Sequence, residues 1–188
     1  MEQIEEIRLV TERLVLRPLD RSFGAKVLEY HLRNEDHFRR AGPALAGEFF
    51  TRSFQTRRLE LELEMAREEK MIRFFLFRRD DEAFERILGD LGFSNIIRGA
   101  LQQCFLGYKI DRRETRQGLV TEALRAAIPW MFEHMALHRI EANIMPRNAA
   151  SIRVVEKLGF AREGFSPKYL KINGNWEDHY RYAILAPD

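Results

Sequence analysis

The sequence predicts a mixed α/β fold, one sheet with helices on its faces, in a single domain over residues 1–188. Three observations predict it. Stretches with strand and helix periodicity follow one another in the order β-α-α-β-β-β-α-β-α-β-β. No Gly-, Ser- or Pro-rich linker, internal repeat or biased tract divides the chain. A length of 188 residues suits one domain with a sizeable core and is short for two.

Each element has its own signal. Thr11 to Pro18 alternates Leu14 and Leu16 with charges, the period of a half-buried strand. Asp20 and Ser22 can cap a first helix carrying Phe23, Val27, Leu28 and Tyr30. Ala41 to Gly47 is a loop by its glycine and proline content. Phe50, Phe54, Leu61 and Met65 fall on one face of a second helix. Its charged residues, Glu62 and Glu64 near Arg67 and Glu68 among them, read as a solvated face. Met71 to Phe77 is too apolar to face water, so Phe74, Phe75 and Phe77 are core. Ile87 to Phe93 and Cys104 to Ile110 read as strands joined by a turn at Arg98 and Gly99. Glycines at 89, 92 and 107 inside these strands point to a bulge or a close backbone approach. A helix follows from about Leu119 to His134, with Leu119, Ala123, Ala126, Ala127 and Trp130 on one side and Pro129 expected to kink or shorten it. His138 to Ile144 is a strand, and Ala149 to Leu158 a short helix stopped by Gly159. Tyr169 to Ile172 and His179 to Leu185 flank Asn173-Gly174, a strong hairpin turn signal.

Composition excludes several classes. With 45% hydrophobic and 32% charged residues the chain is neither disordered nor fibrous. No apolar run approaches the ~20 residues of a membrane span. The acidic start, MEQIEEIRLV, lacks the order of a secretory signal, and the single cysteine, Cys104, cannot form an internal disulfide, so a cytoplasmic location is expected. A net charge of +2 gives no case for direct nucleic-acid binding. His134 and His138 straddle the break between a helix and a strand, so no metal is expected. The chain lacks GxGxxG, a P-loop lysine and a G-x-S-x-G elbow.

The informative stretch is Tyr108 to Leu124, where a strand enters a basic turn containing Gly118 and a helix opens at once. The first amides of a helix lack internal partners and its dipole favours an anion there. Gly118 would let a phosphate approach the backbone, with Arg112, Arg113 and Arg116 adding positive charge. A second strand-to-helix junction follows at Asn143 to Phe160, with Asn148 as helix cap and Ser151 in the first turn.

At these residues the chain resembles the GCN5-related N-acetyltransferases, and within them the RimJ/RimL branch, nearest to the RimJ type. The family's Q/R-x-x-G-x-G/A pattern falls on Thr115 to Val120, keeping Gly118, and Thr-Glu-Ala-Leu follows it. Asn-x-x-Ser and Glu-Lys-Leu-Gly-Phe match Asn148, Ser151 and Glu156 to Phe160, and the tail matches Tyr169 to His179. The likeness runs from about Thr11 to Leu185.

The resemblance implies the acyl-CoA N-acyltransferase fold, a mixed and mostly antiparallel sheet flanked by helices. It implies acetyl-CoA as co-substrate, no metal, and direct transfer of acetyl to an amine in a ternary complex. The cofactor would lie along an opened strand edge at Leu106, Gly107, Tyr108, Lys109 and Ile110, with Gly107 forming the bulge that opens it. Arg113, Arg116, Gln117, Gly118, Leu119 and Val120 would hold its pyrophosphate, and Asn148 and Ser151 would meet its pantetheine arm. Ser151 would protonate the departing thiolate, since Val155 stands where many members carry a tyrosine acid. Glu48 is the candidate general base. The expected acceptor is the N-terminal α-amino group of a ribosomal protein, in a cleft lined by acidic groups. The alternatives are a small amine (an aminoglycoside, a polyamine or an amino acid) in a closed pocket, or a catalytically idle acyl-CoA-binding module. Monomer and homodimer both stay open.

Overall fold

The computed structural model describes residues 4–39, 42 and 45–187. In chain order its elements are β1 (Leu9–Val10), β2 (Leu14–Arg17), α1 (Gly24–Arg33), α2 (Glu35–Arg39), α3 (Arg52–Arg67), β3 (Ile72–Arg78), β4 (Gly89–Ile97), β5 (Gln103–Ile110), α4 (Leu119–His134), β6 (Arg139–Ile144), α5 (Ala149–Lys157), β7 (Ala161–Ile172) and β8 (Asn175–Leu185). The strands form one sheet in the order β1-β2-β3-β4-β5-β6-β8-β7. Among the described residues every neighbouring pair is antiparallel except β5–β6. The expected mixed, mostly antiparallel sheet is therefore what forms. No described helix is long and apolar enough to cross a membrane.

Side chains alternate across the sheet, so β3 feeds two cores. Phe74, Leu91, Cys104 and Ile140 meet α4 and α5 on one face. Phe75 and Phe77 meet Val27 and Tyr30 of α1 and Leu59 of α3 on the other. β4 and β5 approach closely at Gly89, where an added Cβ would stand 2.5 Å from the Lys109 carbonyl oxygen. Asn173 and Gly174, with φ of 49° and 86°, close the two-residue β7–β8 hairpin.

Four expectations are corrected. Leu14–Arg17 is buried along its whole length rather than alternating, because β2 lies between β1 and β3 with both faces covered. α3 buries Gln55, Leu59, Leu63 and Ala66, while Leu61 is 55% exposed. Gln55 goes inward because its amide donates to the Phe49 carbonyl, 2.6 Å away. Glu62 is not solvated: it bonds Arg58 at 2.9 Å and Arg73 at 3.0 Å. Pro129 does not end α4, which runs on to His134. Ala41, Pro43 and Ala44 of the Ala41–Gly47 loop lie outside the described residues.

Cys104 is fully buried, and burial pushes its thiol up to about 12. The native protein is thus expected to resist alkylation at neutral pH and to label fully in urea. A disulfide-exchange titration checks this, and prompt labelling of native protein would contradict it.

Candidate active site

A cleft of about 820 Å³ opens where β5 and β6 part. These strands pair only at Gln103–Arg139, Cys104–Ile140 and Phe105–Glu141. The Asp111 N–H donates to the Leu88 carbonyl, so odd-numbered residues of β5 turn their backbone groups toward β4. The Gln102 carbonyl accepts from the Arg139 N–H, so even-numbered residues face β6. Beyond Phe105, the backbones of Leu106, Tyr108 and Ile110 therefore face a strand that has moved away. The expected bulge at Gly107 is absent: Gly107 pairs in register with Gly92, and the β4–β5 irregularity lies between Ser94 and Ile97. The gap comes from divergence after the parallel stitch.

The same registers divide the cleft into two sides. Tyr108 lies on the α4/α5 face with the first turn of α5. Lys109, Asn143 and His179 share the opposite face, which carries α1 and α3. A molecule threaded between β5 and β6 is reachable from both sides.

On the first side the turn after β5 is built by Asp111, whose carboxylate accepts from the Arg113 N–H at 3.0 Å and the Arg33 Nε at 2.7 Å. Burial alone would raise the Asp111 carboxyl, and these bonds outweigh it to hold the group below its ordinary value. Arg116 and Gly118 both take positive φ, 63° and 76°. Gly118 caps α4 with no side-chain acceptor, and the first helix bond runs from the Glu122 N–H to its carbonyl. The amides of Leu119, Val120 and Thr121 thus have no partner within the helix, and these residues line the cleft with Arg116, Arg153 and Lys157. Glu122 ties α4 to the β1–β2 turn, accepting from Thr11 Oγ1 at 2.6 Å and Arg13 Nε at 2.6 Å. These amides and cations suit a pyrophosphate with further phosphate nearby.

Across the gap Asn148 caps α5, its side chain accepting from the Ser151 N–H at 3.2 Å. The Tyr108 hydroxyl donates to the Ser151 carbonyl at 3.1 Å, and burial pushes that phenol up to about 12. Ser151 lines the cleft, and its hydroxyl makes no hydrogen bond among the described residues. Val155 is fully buried in the core and offers no acid.

The structure gathers Leu106, Gly107, Tyr108, Lys109, Ile110, Arg116, Gly118, Leu119, Val120, Asn148 and Ser151 around this cleft. It does not bring Arg113, Gln117 or Glu48 to the lining. Arg113 and Gln117 are exposed, and Gln117 turns to Arg78 and Arg13. Glu48 is exposed in a short 3-10 turn, Gly47–Phe50. The expected acidic lining is also absent: Glu114 is the one carboxylate among the described lining residues, and it pairs with Arg78 at 2.6 Å.

On the other side sequence reasoning missed most of what is there. His179 is 4% exposed, and its Nδ1 lies 3.0 Å from the Glu177 carbonyl oxygen. The Asn143 amide donates to the Tyr169 hydroxyl at 3.2 Å, and its Oδ1 is buried without a partner among the described residues. On the same sheet face, across the gap, lies a charged cluster. Tyr30 donates to Asp90 at 3.1 Å, Arg73 bridges Asp90 and Glu62, and Lys109 stands opposite Asp90 across the β4–β5 ladder. Burial pushes Lys109 below its ordinary value against the pull of Asp90, and it pushes His31 down to about 3. The Lys109 ammonium sits 5.3 Å from the Phe38 ring centroid.

Residues 13–161 match the family described as "Acetyltransferase (GNAT) domain". The chain is 38% identical over 175 residues to "Probable N-acetyltransferase YjcK" of Bacillus subtilis, covering 93% of this chain and 95% of that protein. It is 34% identical over 185 residues to the "[Ribosomal protein uS5]-alanine N-acetyltransferase" of Escherichia coli, covering 98% and 94%. Its fold superposes with a TM-score of 0.84 on Mycobacterium smegmatis RimJ, solved in complex with CoA-disulfide, at 28% identity over 92% of this chain and 82% of that one.

Proposed function

Given that the chain belongs to the GNAT acetyltransferase family, we propose that it transfers acetyl from acetyl-CoA to the N-terminal α-amino group of a ribosomal protein, in the cytoplasm and by direct attack with both substrates bound. The observation that carries the reading is the gap between β5 and β6, open on both faces of the sheet beside a helix start that has no side-chain cap. The acceptor class draws support from the Escherichia coli relative, named for the alanine of ribosomal protein uS5.

Acetyl-CoA supplies an activated thioester; the rest is done by this chain. The amides of Leu119, Val120 and Thr121 bind pyrophosphate, with Arg116, Arg153 and Lys157 adding charge. The backbones of Leu106, Tyr108 and Ile110 orient the pantetheine arm by strand-like hydrogen bonds. A backbone N–H there also meets the negative charge that develops on the carbonyl oxygen, a donor whose removal typically costs ~3 kcal/mol. Thr115 makes no side-chain contribution, because its hydroxyl closes the turn onto the Arg112 carbonyl at 3.0 Å. Ser151 gives its hydroxyl proton to the departing sulfur.

The test follows CoA release with three acceptors: a peptide beginning in alanine, a polyamine and an aminoglycoside. Turnover on the peptide is expected. Turnover on a small amine alone would reassign the acceptor, and acetyl-CoA binding without turnover would favour an idle module. In the same assay Ser151→Ala is expected to lower kcat by roughly tenfold or more while leaving the KM for acetyl-CoA nearly unchanged. Equal activity would move the acid role to another group, with Tyr108→Phe as the next variant.

A further inference from the structure

We propose that the imidazole of His179 accepts the proton that the acceptor amine must lose, with Asn143 positioning that amine; the inference rests on the acetyl-transfer reading above. An N-terminal ammonium, with a pKa of about 8, is largely protonated near neutrality and cannot attack until it is deprotonated. The described lining offers few bases. Glu114 lies at the turn after β5 and is paired with Arg78. Lys109 is a cation. Two imidazoles remain, His37 and His179.

Three observations favour His179. First, it stands on β8, an interior strand between β6 and β7, whereas His37 sits on the five-residue α2. Second, its tautomer is set. A carbonyl oxygen only accepts, so the contact to Glu177 requires Nδ1 to carry the hydrogen. The neutral ring then keeps its lone pair on Nε2, which has no hydrogen-bond partner among the described residues. The Tyr169 ring, 5.3 Å away, limits the tilt of the imidazole. Third, Asn143 is its diagonal neighbour on the same sheet face, since Asn143 pairs with Arg181. Its buried Oδ1 is an acceptor still without a donor, and its Nδ2 is held by Tyr169. Two neutral acceptors at the acceptor side replace the acidic lining that the sequence led us to expect.

The step balances. The ammonium N–H bond breaks and its proton forms a new N–H on Nε2, passing later to solvent. The freed lone pair forms the C–N bond at the thioester carbonyl, and the C–S bond breaks with its electrons on sulfur. The second proton lost by nitrogen ends on sulfur by relay through Ser151, giving an amide, a thiol and one released proton.

The experiment compares wild type, His179→Gln and His179→Ala, with the acetyl-CoA-induced rise in Tm measured on each. Glutamine keeps an amide donor for the Glu177 carbonyl and removes the basic nitrogen. Its kcat is expected to fall roughly 10²-fold or more with the Tm shift retained, and added imidazole is expected to restore part of the activity of His179→Ala. Unchanged kcat in the glutamine variant, or loss in His37→Gln instead, would overturn the assignment. A Tm shift without transfer to any primary amine in wild type would overturn the acetyl-transfer reading and this inference with it.

Discussion

Gly118→Val is expected to abolish the stabilisation that acetyl-CoA gives the wild-type protein. At ligand ~100-fold above its Kd, linkage predicts about 2.7 kcal/mol of added stability. For a domain of this size that is a rise of roughly 5–10 °C in Tm. Gly118 holds φ at 76°, and a Cβ there would find its nearest neighbour, Arg13 Nη2, 3.8 Å away. The protein itself has room for the added atoms; the space they fill is the cradle over the first amides of α4. A β-branched residue in the left-handed region also costs about 1–3 kcal/mol, so the variant melts lower without ligand. The decisive quantity is the ligand-induced shift within each protein. A full shift in the variant would place the pyrophosphate elsewhere.

Arg73→Met is expected to lose about 3–5 kcal/mol of stability at neutral pH, because it strands the buried Asp90 carboxylate and half-frees Glu62. In the wild type, burial alone would raise the Asp90 carboxyl, but Arg73, then Lys109, hold it below its ordinary value of 3.8. A depressed carboxyl contributes stability that is present above its unfolded value and lost as pH falls through its folded one. Without Arg73 burial prevails and the sign reverses, so the variant regains stability as the carboxyl takes up a proton. Urea melts at pH 7 and at about pH 4 should show the gap between the two proteins narrowing on acidification. A constant gap would mean that packing of the arginine stem, not its charge, is what the substitution removes.

Much of the fold was legible in local signals. α4 begins and ends at Leu119 and His134 as the periodicity implied, and the Asn173–Gly174 hairpin and the Asn148 cap formed where their residue types demand. These features depend on neighbours within a few positions. The buried face of α3 was misread because what draws Glu62 inward is Arg73 on β3, and Arg73 is in turn held by Asp90 on β4. Nothing in the α3 sequence reports a partner on another strand. The candidate site divides the same way. The turn proposed to hold the pyrophosphate is contiguous and was legible, apart from Arg113 and Gln117, whose side chains are exposed away from the cleft. His179 and Asn143 meet only because β6 and β8 pair, and the hydroxyl of Tyr108 meets α5 only across the gap. Glu48, expected to face the acceptor cleft as general base, is left in solvent.

The stitch of three residue pairs between β5 and β6 has a consequence for solvation. Backbone groups in the middle of a sheet are ordinarily satisfied by the next strand, and leaving them dry is costly. Past Phe105 and Glu141 that strand is out of reach. The seam must therefore stay wet for the fold to be stable, and an entering ligand competes against water already satisfying those groups. Affinity here is set by exchange, so an analogue that fills the seam without amides to match Leu106, Tyr108 and Ile110 gains little from fitting its shape.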